Sequence, residues 1–527
     1  MPTLVLLISA LFLFLTAGVT QSNTSGPERS IRTTLDAKEQ ELEDLNARYW
    51  LNQYQIEQGN ANVSNQSVDA RIREVVNDPS FLKTLEAAHF SDPIWQRRQQ
   101  LYLEAARDSQ ISTDAELSKI IESIRKDSSA LRYSIGGKKL DRPELDNVLG
   151  HDPDRTLRRE AWFAKAEHTK LTGDRLRQAM KLGNQLAQRY AGQSYADFML
   201  HRRATDRASV LRWYELIRTA TEPEYRELLS RMKKDLGVKE LEPWDLEYYF
   251  STMTPEIEDK MKAEGTWEQT TKVAEVLGFD FKKLPLQVKI TDITFGGYTM
   301  PIRYGKQIKM LVSNHKGVLF VDTMLHESGH ALHFSFVQEP SYTLRENYPP
   351  PMDEGLGQVM SLMLFRPEIS TTIYGLSQKQ AQAFIERRRL QSNYDLRVLM
   401  MHSEFELEAY SNPDQDLTSL HDRICIKYLD VDCHHAAIWG YVPFYFAVPV
   451  YEQNYVLGEM FAYQVHHTLD QKFGRQWGPE AGAYLHDKFF IRGGSHTLDE
   501  IMLEGTGEKL TADYLIRALK TRPAKSN

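Results

Sequence analysis

Two cysteines are all that this 527-residue chain contains, which excludes a disulfide-stapled scaffold. Cys425 and Cys433 stand eight residues apart. On one continuous helix their Cα atoms would lie about 12 Å from each other, too far to bond. An irregular segment around Asp430 and Asp432 would instead bring them together, and both alternatives stand. A dense basic cluster with interleaved aromatics is also missing: 64 basic residues face 72 acidic ones, for a net charge of −8. Nucleic acid is therefore not an expected partner. No apolar run reaches the roughly 20 residues that a membrane-spanning helix needs. The longest, Leu4 to Leu15, lies within 26 residues that carry no charged side chain. It has the length of a signal-peptide core, and small residues follow it. We expect a signal peptide over residues 1–21, cut between Ala17 and Gln21, and a secreted or periplasmic product with no stable membrane insertion afterwards. The missing Lys or Arg before the run speaks for the alternative, an uncleaved membrane anchor. No cysteine follows, so a bacterial lipoprotein is excluded.

Linkers are scarce as well. Residues 22–70 read as one amphipathic helix, marked by Leu35, Leu42, Leu45 and Tyr49, and a polar loop. That loop holds Asn62-Val-Ser64 and Asn65-Gln-Ser67, which join Asn23-Thr-Ser25 as glycosylation sequons if the source is eukaryotic. Residues 71–527 read as one large domain, with 41% hydrophobic and 10% aromatic residues to fill its core. Helix follows helix from Asp78 to Gln193. Leu176, Ala179, Met180, Leu186, Ala187 and Tyr190 form an apolar stripe at helical spacing. Between Leu284 and Leu319 β-branched and turn residues alternate, which predicts a small antiparallel sheet that includes Phe295-Gly296-Gly297-Tyr298-Thr299. An exposed strand there can bind an extended peptide through its backbone, so Gly296 and Gly297 are candidate substrate-binding residues. A purely structural hairpin is the plain alternative.

The chain is organised around His326-Glu327-Ser328-Gly329-His330. Apolar residues flank this H-E-x-x-H at helical spacing, and no proline interrupts Val321 to Gln338. Residues i and i+4 share a helix face, so both imidazoles can reach one metal ion. Glu327 can then act as the general base on a metal-bound water. Such a site needs a third ligand. Glu354, 24 residues beyond His330, follows Pro349-Pro350-Pro351 and precedes an apolar-periodic run, so it falls in the first turn of a second helix. Asp353 is the neighbouring competitor. His333 lacks the G-x-x-H context of a third histidine ligand and reads as a packing or supporting residue. The expected cofactor is one Zn2+ per chain.

His326 to His330, with Leu344-Arg345-Glu346 and Glu354-Gly-Leu-Gly-Gln358, resembles the gluzincin metallopeptidases. The spacing to the third ligand is similar to the peptidyl-dipeptidase A (angiotensin-converting enzyme) family. His330-Ala-Leu-His333 and Gln358 resemble the thimet oligopeptidase and oligopeptidase F families. The likeness is strongest from about Gly296 to Gly494. It implies a mainly α, two-lobed helical ellipsoid with a deep central cleft and the small sheet beside the zinc helices.

The same resemblance assigns the segment Tyr455-Val-Leu-Gly-Glu-Met-Phe461 the tyrosine that donates to the oxyanion. Tyr455 takes that role, and Tyr451, placed one helical turn earlier on the same face, is a second candidate. The families carry a histidine ten to twelve residues before that tyrosine, where this chain has Pro443, Phe444 and Tyr445. Tyr445, His434 or His435 are the candidates to fill the gap. Asn454 occupies the place of a chloride-linked arginine, and the lysine that grips a substrate C-terminus has no counterpart. Arg492-Gly-Gly-Ser-His496 resembles a glycine-rich loop near the substrate channel, or is simply a turn. The expectation is a zinc peptidase that hydrolyses short peptides inside the cleft, of oligopeptidase or peptidyl-dipeptidase type. The alternatives are a zinc-binding homologue with little or no turnover that serves as a binding protein, and a zinc hydrolase of non-peptide amides.

Overall fold

The computed structural model describes residues 26–521, apart from 61, 262–264, 292, 294–295 and 315–316. The expected signal peptide, Asn23 and Phe295 lie outside the described residues. Helices dominate. Those that build or support the site are α1 (Gly26–Ile56), α2 (Gln66–Val76), α3 (Ala166–Ala191), α4 (Tyr195–Arg202), α5 (Val318–Phe336), α6 (Pro350–Met363), α7 (Gln378–Ser411), α8 (Leu417–Leu429) and α9 (Gln453–Phe473). The edge expected at residue 70 falls inside α2. One large apolar core runs through α3 to α9 and on to Leu519. The predicted stripe of α3 is buried from Leu176 to Ala187, whereas Tyr190 is exposed.

The small sheet is present, but it is mixed rather than antiparallel. Its strands are β1 (Leu286–Thr291), β2 (Gly297–Arg303) and β3 (Gln307–Ser313), in the order β1-β3-β2. β2 runs antiparallel to β3 and β1 parallel to it. Burial explains the order. β3 is buried along most of its length and needs both edges paired, while β1 is half-exposed and suits an edge. α1 packs along the sheet: Ala47 joins Met300, Ile302 and Leu311 in a small core, and Arg303 Nη2 donates to Asp44 Oδ1 at 2.7 Å.

α5, α6 and α9 pack at very close range. A Cβ on Gly329 would run into the Leu356 carbonyl, so that glycine sets how near α5 comes to α6. Prolines open α6, where missing N–H groups cost little. α8 ends at Asp430, whose φ of 53° turns the chain back. Cys433 therefore lies past the helix, its Cα 6.6 Å from that of Cys425, and the two form a disulfide.

Candidate metal centre and active site

The two histidines of α5 and Glu354 of α6 converge, their ligand atoms all within 4.8 Å of one another. His326 Nε2 lies 3.1 Å from His330 Nε2 and 3.4 Å from Glu354 Oε2. Tetrahedral ligands at about 2.0–2.1 Å from zinc stand about 3.3–3.4 Å apart, so the two sides that meet at His326 have suitable lengths. Glu354 supplies a second test. Its Oε2 is buried and has no hydrogen-bond partner, while Oε1 accepts a 2.6 Å bond from the Tyr451 phenol. One oxygen is anchored and the other is left for a cation. A Cβ on Gly357 would stand 2.6 Å from the His326 ring, so only glycine leaves that imidazole its place.

Electrostatics point the same way. Burial disfavours a charged His330, yet Asp353, Glu327 and Glu354 outweigh it and push its pKa up to about 10. A pocket with that surplus of carboxylates suits a divalent cation. Asp353, the competitor for third ligand, is turned elsewhere: Oδ2 is 3.1 Å from His330 Nδ1 and Oδ1 is 2.7 Å from His333 Nδ1. Burial alone would raise its carboxyl, but the two histidines hold it well below the usual range. A carboxylate behind a ligating histidine orients the ring and raises its basicity. His333 is fully buried, its second nitrogen 2.9 Å from the Arg492 carbonyl, which is the supporting place expected of it.

Glu327 is buried beside this triangle. The Thr299 hydroxyl of β2 lies 2.7 Å from its Oε2 and 3.1 Å from its carbonyl oxygen. Gly297 makes room for it, since a Cβ there would stand 2.6 Å from Glu327 Cγ. Gly297 opens β2, whose outer side has no strand neighbour among the described residues. Gly296 precedes it and approaches Thr323.

Residues 148–288 and 315–521 match peptidase family M3. The chain belongs to that family. It is a metallopeptidase. No curated protein matches it in sequence. Solved structures share the fold at low identity. Metallocarboxypeptidase 1 of Trypanosoma cruzi superposes with a TM-score of 0.68 at 13% identity, over 94% of this chain and 100% of that one. The M32 carboxypeptidase of Deinococcus radiodurans R1 gives 0.65 at 14%, over 93% and 98%. Pyrococcus furiosus carboxypeptidase gives 0.65 at 12%, over 94% and 99%. The helical ellipsoid expected of the chain is the fold of these enzymes.

In this M3 peptidase Tyr455 sits in the first turn of α9 and Tyr451 lies before the helix, not one turn along it. Their rings still meet, centroids 5.7 Å apart. Burial first, then the charge of Glu354, pushes both phenols well above the ordinary range, so both remain donors. Phe444 stacks on Tyr451 at 6.3 Å and meets Tyr455 edge-on at 5.9 Å. The three expected substitutes for the family histidine are engaged with other partners. Tyr445 is buried and donates to the His402 carbonyl. His434 binds Glu242 and His435 binds Asp422, both in an outer loop. The histidine brought to this segment is His402 of α7, 3.1 Å from Glu452 Oε1. The Arg492 to His496 loop packs on the segment before α6: Gly494 N donates to the Leu344 carbonyl, and Ser495 Oγ to Glu339.

Sequence reasoning missed Thr299, whose only signal was a β-branched residue in a strand. A cavity of about 1000 Å³ lies between α2, α3 and Tyr195, Tyr410 and Tyr445; it reaches Pro449, two residues before Tyr451, but not the metal triangle.

Proposed function

We propose that this protein is a zinc peptidase of one metal ion per chain that cuts short peptides, in the manner of an oligopeptidase or peptidyl-dipeptidase. His326, His330 and Glu354 hold the ion. The observation that carries this is the ligand triangle with a buried, unpartnered Glu354 oxygen facing two imidazole nitrogens. A zinc ion there supplies Lewis acidity, activating water and polarising the scissile carbonyl. Glu327 takes the proton at its free oxygen while Thr299 holds the other, then delivers it to the leaving amine. Tyr455 donates its phenol proton as a hydrogen bond to the developing oxyanion. The open edge of β2, beginning at Gly296 and Gly297, binds the peptide backbone as an added strand. The solved relatives are carboxypeptidases, which leaves C-terminal trimming within this reading, and a product map on a ten-residue peptide distinguishes it from internal cleavage. We also propose that the chain is exported. The Cys425–Cys433 disulfide suits an oxidising compartment, and N-terminal sequencing of mature protein tests it.

The decisive pair of variants is Glu327→Gln and Glu354→Ala. Glu327→Gln is expected to keep zinc and lose turnover by several orders of magnitude, because the geometry stays and the base goes. Glu354→Ala is expected to lose the metal. Activity within about tenfold of wild type in zinc-loaded Glu327→Gln would refute the assignment.

A further inference from the structure

The turn that delivers Tyr451 is built against its own backbone preference. Val450 has φ 58°, a left-handed conformation that a β-branched residue rarely adopts, and it is buried. Side chains from α7, from α9 and from the residue that follows α4 hold its peptide groups. Glu406 of α7 accepts from the Val450 N–H at 2.9 Å. Gln453, the first residue of α9, donates to the Val450 carbonyl at 2.7 Å. Arg203, at the end of α4, donates to the Pro449 carbonyl at 2.7 Å, and its guanidinium lies 5.1 Å from the Tyr451 ring centre. All three side chains are buried. Burying a carboxyl, a guanidinium and an amide around one turn is costly. A glycine at 450 would relax the same conformation without them. Strained residues persist where their surroundings over-determine them, and they cluster at functional sites. Here the very next side chain is the phenol bonded to Glu354 Oε1.

We propose that Pro449–Tyr451 is a strained latch, held shut by Arg203, Glu406 and Gln453, that keeps Tyr451 on Glu354 and so aims the free Glu354 oxygen at the metal. Arg203, Glu406 and Gln453 are thus positioning residues reaching the centre through Tyr451. This rests on Glu354 being a zinc ligand. Burial pushes the Glu406 carboxyl up to about 8, so an amide is a close mimic of it.

The test reads kcat, KM, zinc affinity by competition with a chromophoric chelator, and thermal midpoint. Glu406→Leu removes the acceptor; it is expected to lower kcat about 10- to 100-fold and weaken zinc binding about tenfold, with KM within about threefold. Glu406→Gln is expected to restore both. In a Tyr451→Phe background Glu406→Leu is expected to add less than about threefold, because its effect passes through that phenol. Val450→Gly keeps the shape of the turn and its three backbone hydrogen bonds while removing the strain: its thermal midpoint is expected to hold or rise, with kcat and zinc affinity within about threefold of wild type. Full additivity with Tyr451→Phe, or a folded Glu406→Leu protein with wild-type kcat and zinc affinity, would overturn the latch. Zinc retained in Glu354→Ala would instead sink the metal assignment, whereas zinc lost there but kept in the latch variants condemns the latch alone.

Discussion

Replacing Thr299 by valine isolates one hydrogen bond at the general base. The hydroxyl lies 2.7 Å from Glu327 Oε2, and both residues are about 95% buried, so water does not readily take over the bond. A hydrogen bond to a charged group is worth about 1.5–3 kcal/mol, and its loss from the catalytic carboxylate corresponds to about 10- to 150-fold in kcat. The added methyl also presses on Oε2 at a distance suited only to a hydrogen bond, which acts in the same direction. The hydroxyl of Thr299 bonds to Glu327 rather than to a metal-binding side chain, so zinc content is expected to stay at the wild-type level. KM is expected to change little, because the lost interaction belongs to the reacting proton rather than to the peptide. Thr299→Ser keeps the donor and is expected to recover activity to within about threefold. The assay is steady-state hydrolysis of a quenched fluorogenic peptide on zinc-quantified protein. A zinc-replete Thr299→Val enzyme with wild-type kcat would show that Glu327 needs no such support. A serine variant as slow as the valine one would show that shape, not the hydroxyl, matters.

Asp353→Asn leaves the shape behind His330 but removes the charge; zinc affinity is expected to weaken about 10- to 100-fold, with activity returning at saturating zinc, and activity that stays lost at full occupancy would contradict a supporting role. Phe444→His places a donor against Tyr451 and Tyr455. It is expected to raise kcat by at least about tenfold with little change in KM, and a folded, zinc-loaded variant that gains nothing refutes the idea that this position limits the rate. Acid stability follows from buried histidines. Burial lowers His168 to about 4, and His421 and His466 to about 3. They are neutral when folded and take up a proton near pH 6.5 when unfolded. Their contribution is thus complete above pH 6.5 and falls by about 1.4 kcal/mol per pH unit each towards pH 4. Thermal midpoints measured from pH 7.5 to 4 are expected to drop, and to drop less in His421→Gln; a flat profile in both would count against the burial of these rings.

The metal-binding pattern is legible from residue spacing, because it is local. His326 and His330 share a helix face by their spacing alone, and three prolines announce the helix that presents Glu354. Glycine at 329 and 357 is needed for contacts with α6 and His326, but nothing in the sequence says which neighbour each one meets. Packing separates Asp353 from Glu354: adjacent residues on a helix differ by about 100° in direction, so Glu354 joins His326 and His330 while Asp353 lies behind, against His330 and His333. Tertiary structure also ordered the sheet, since pairing β1 with β3 joins segments separated by a whole strand. Tyr451 left the helix for the same kind of reason: the turn before α9 is set by Arg203 and Glu406, more than forty residues away in sequence. Long-range burial chose Thr299 as the partner of Glu327, and no periodicity within either element records that meeting.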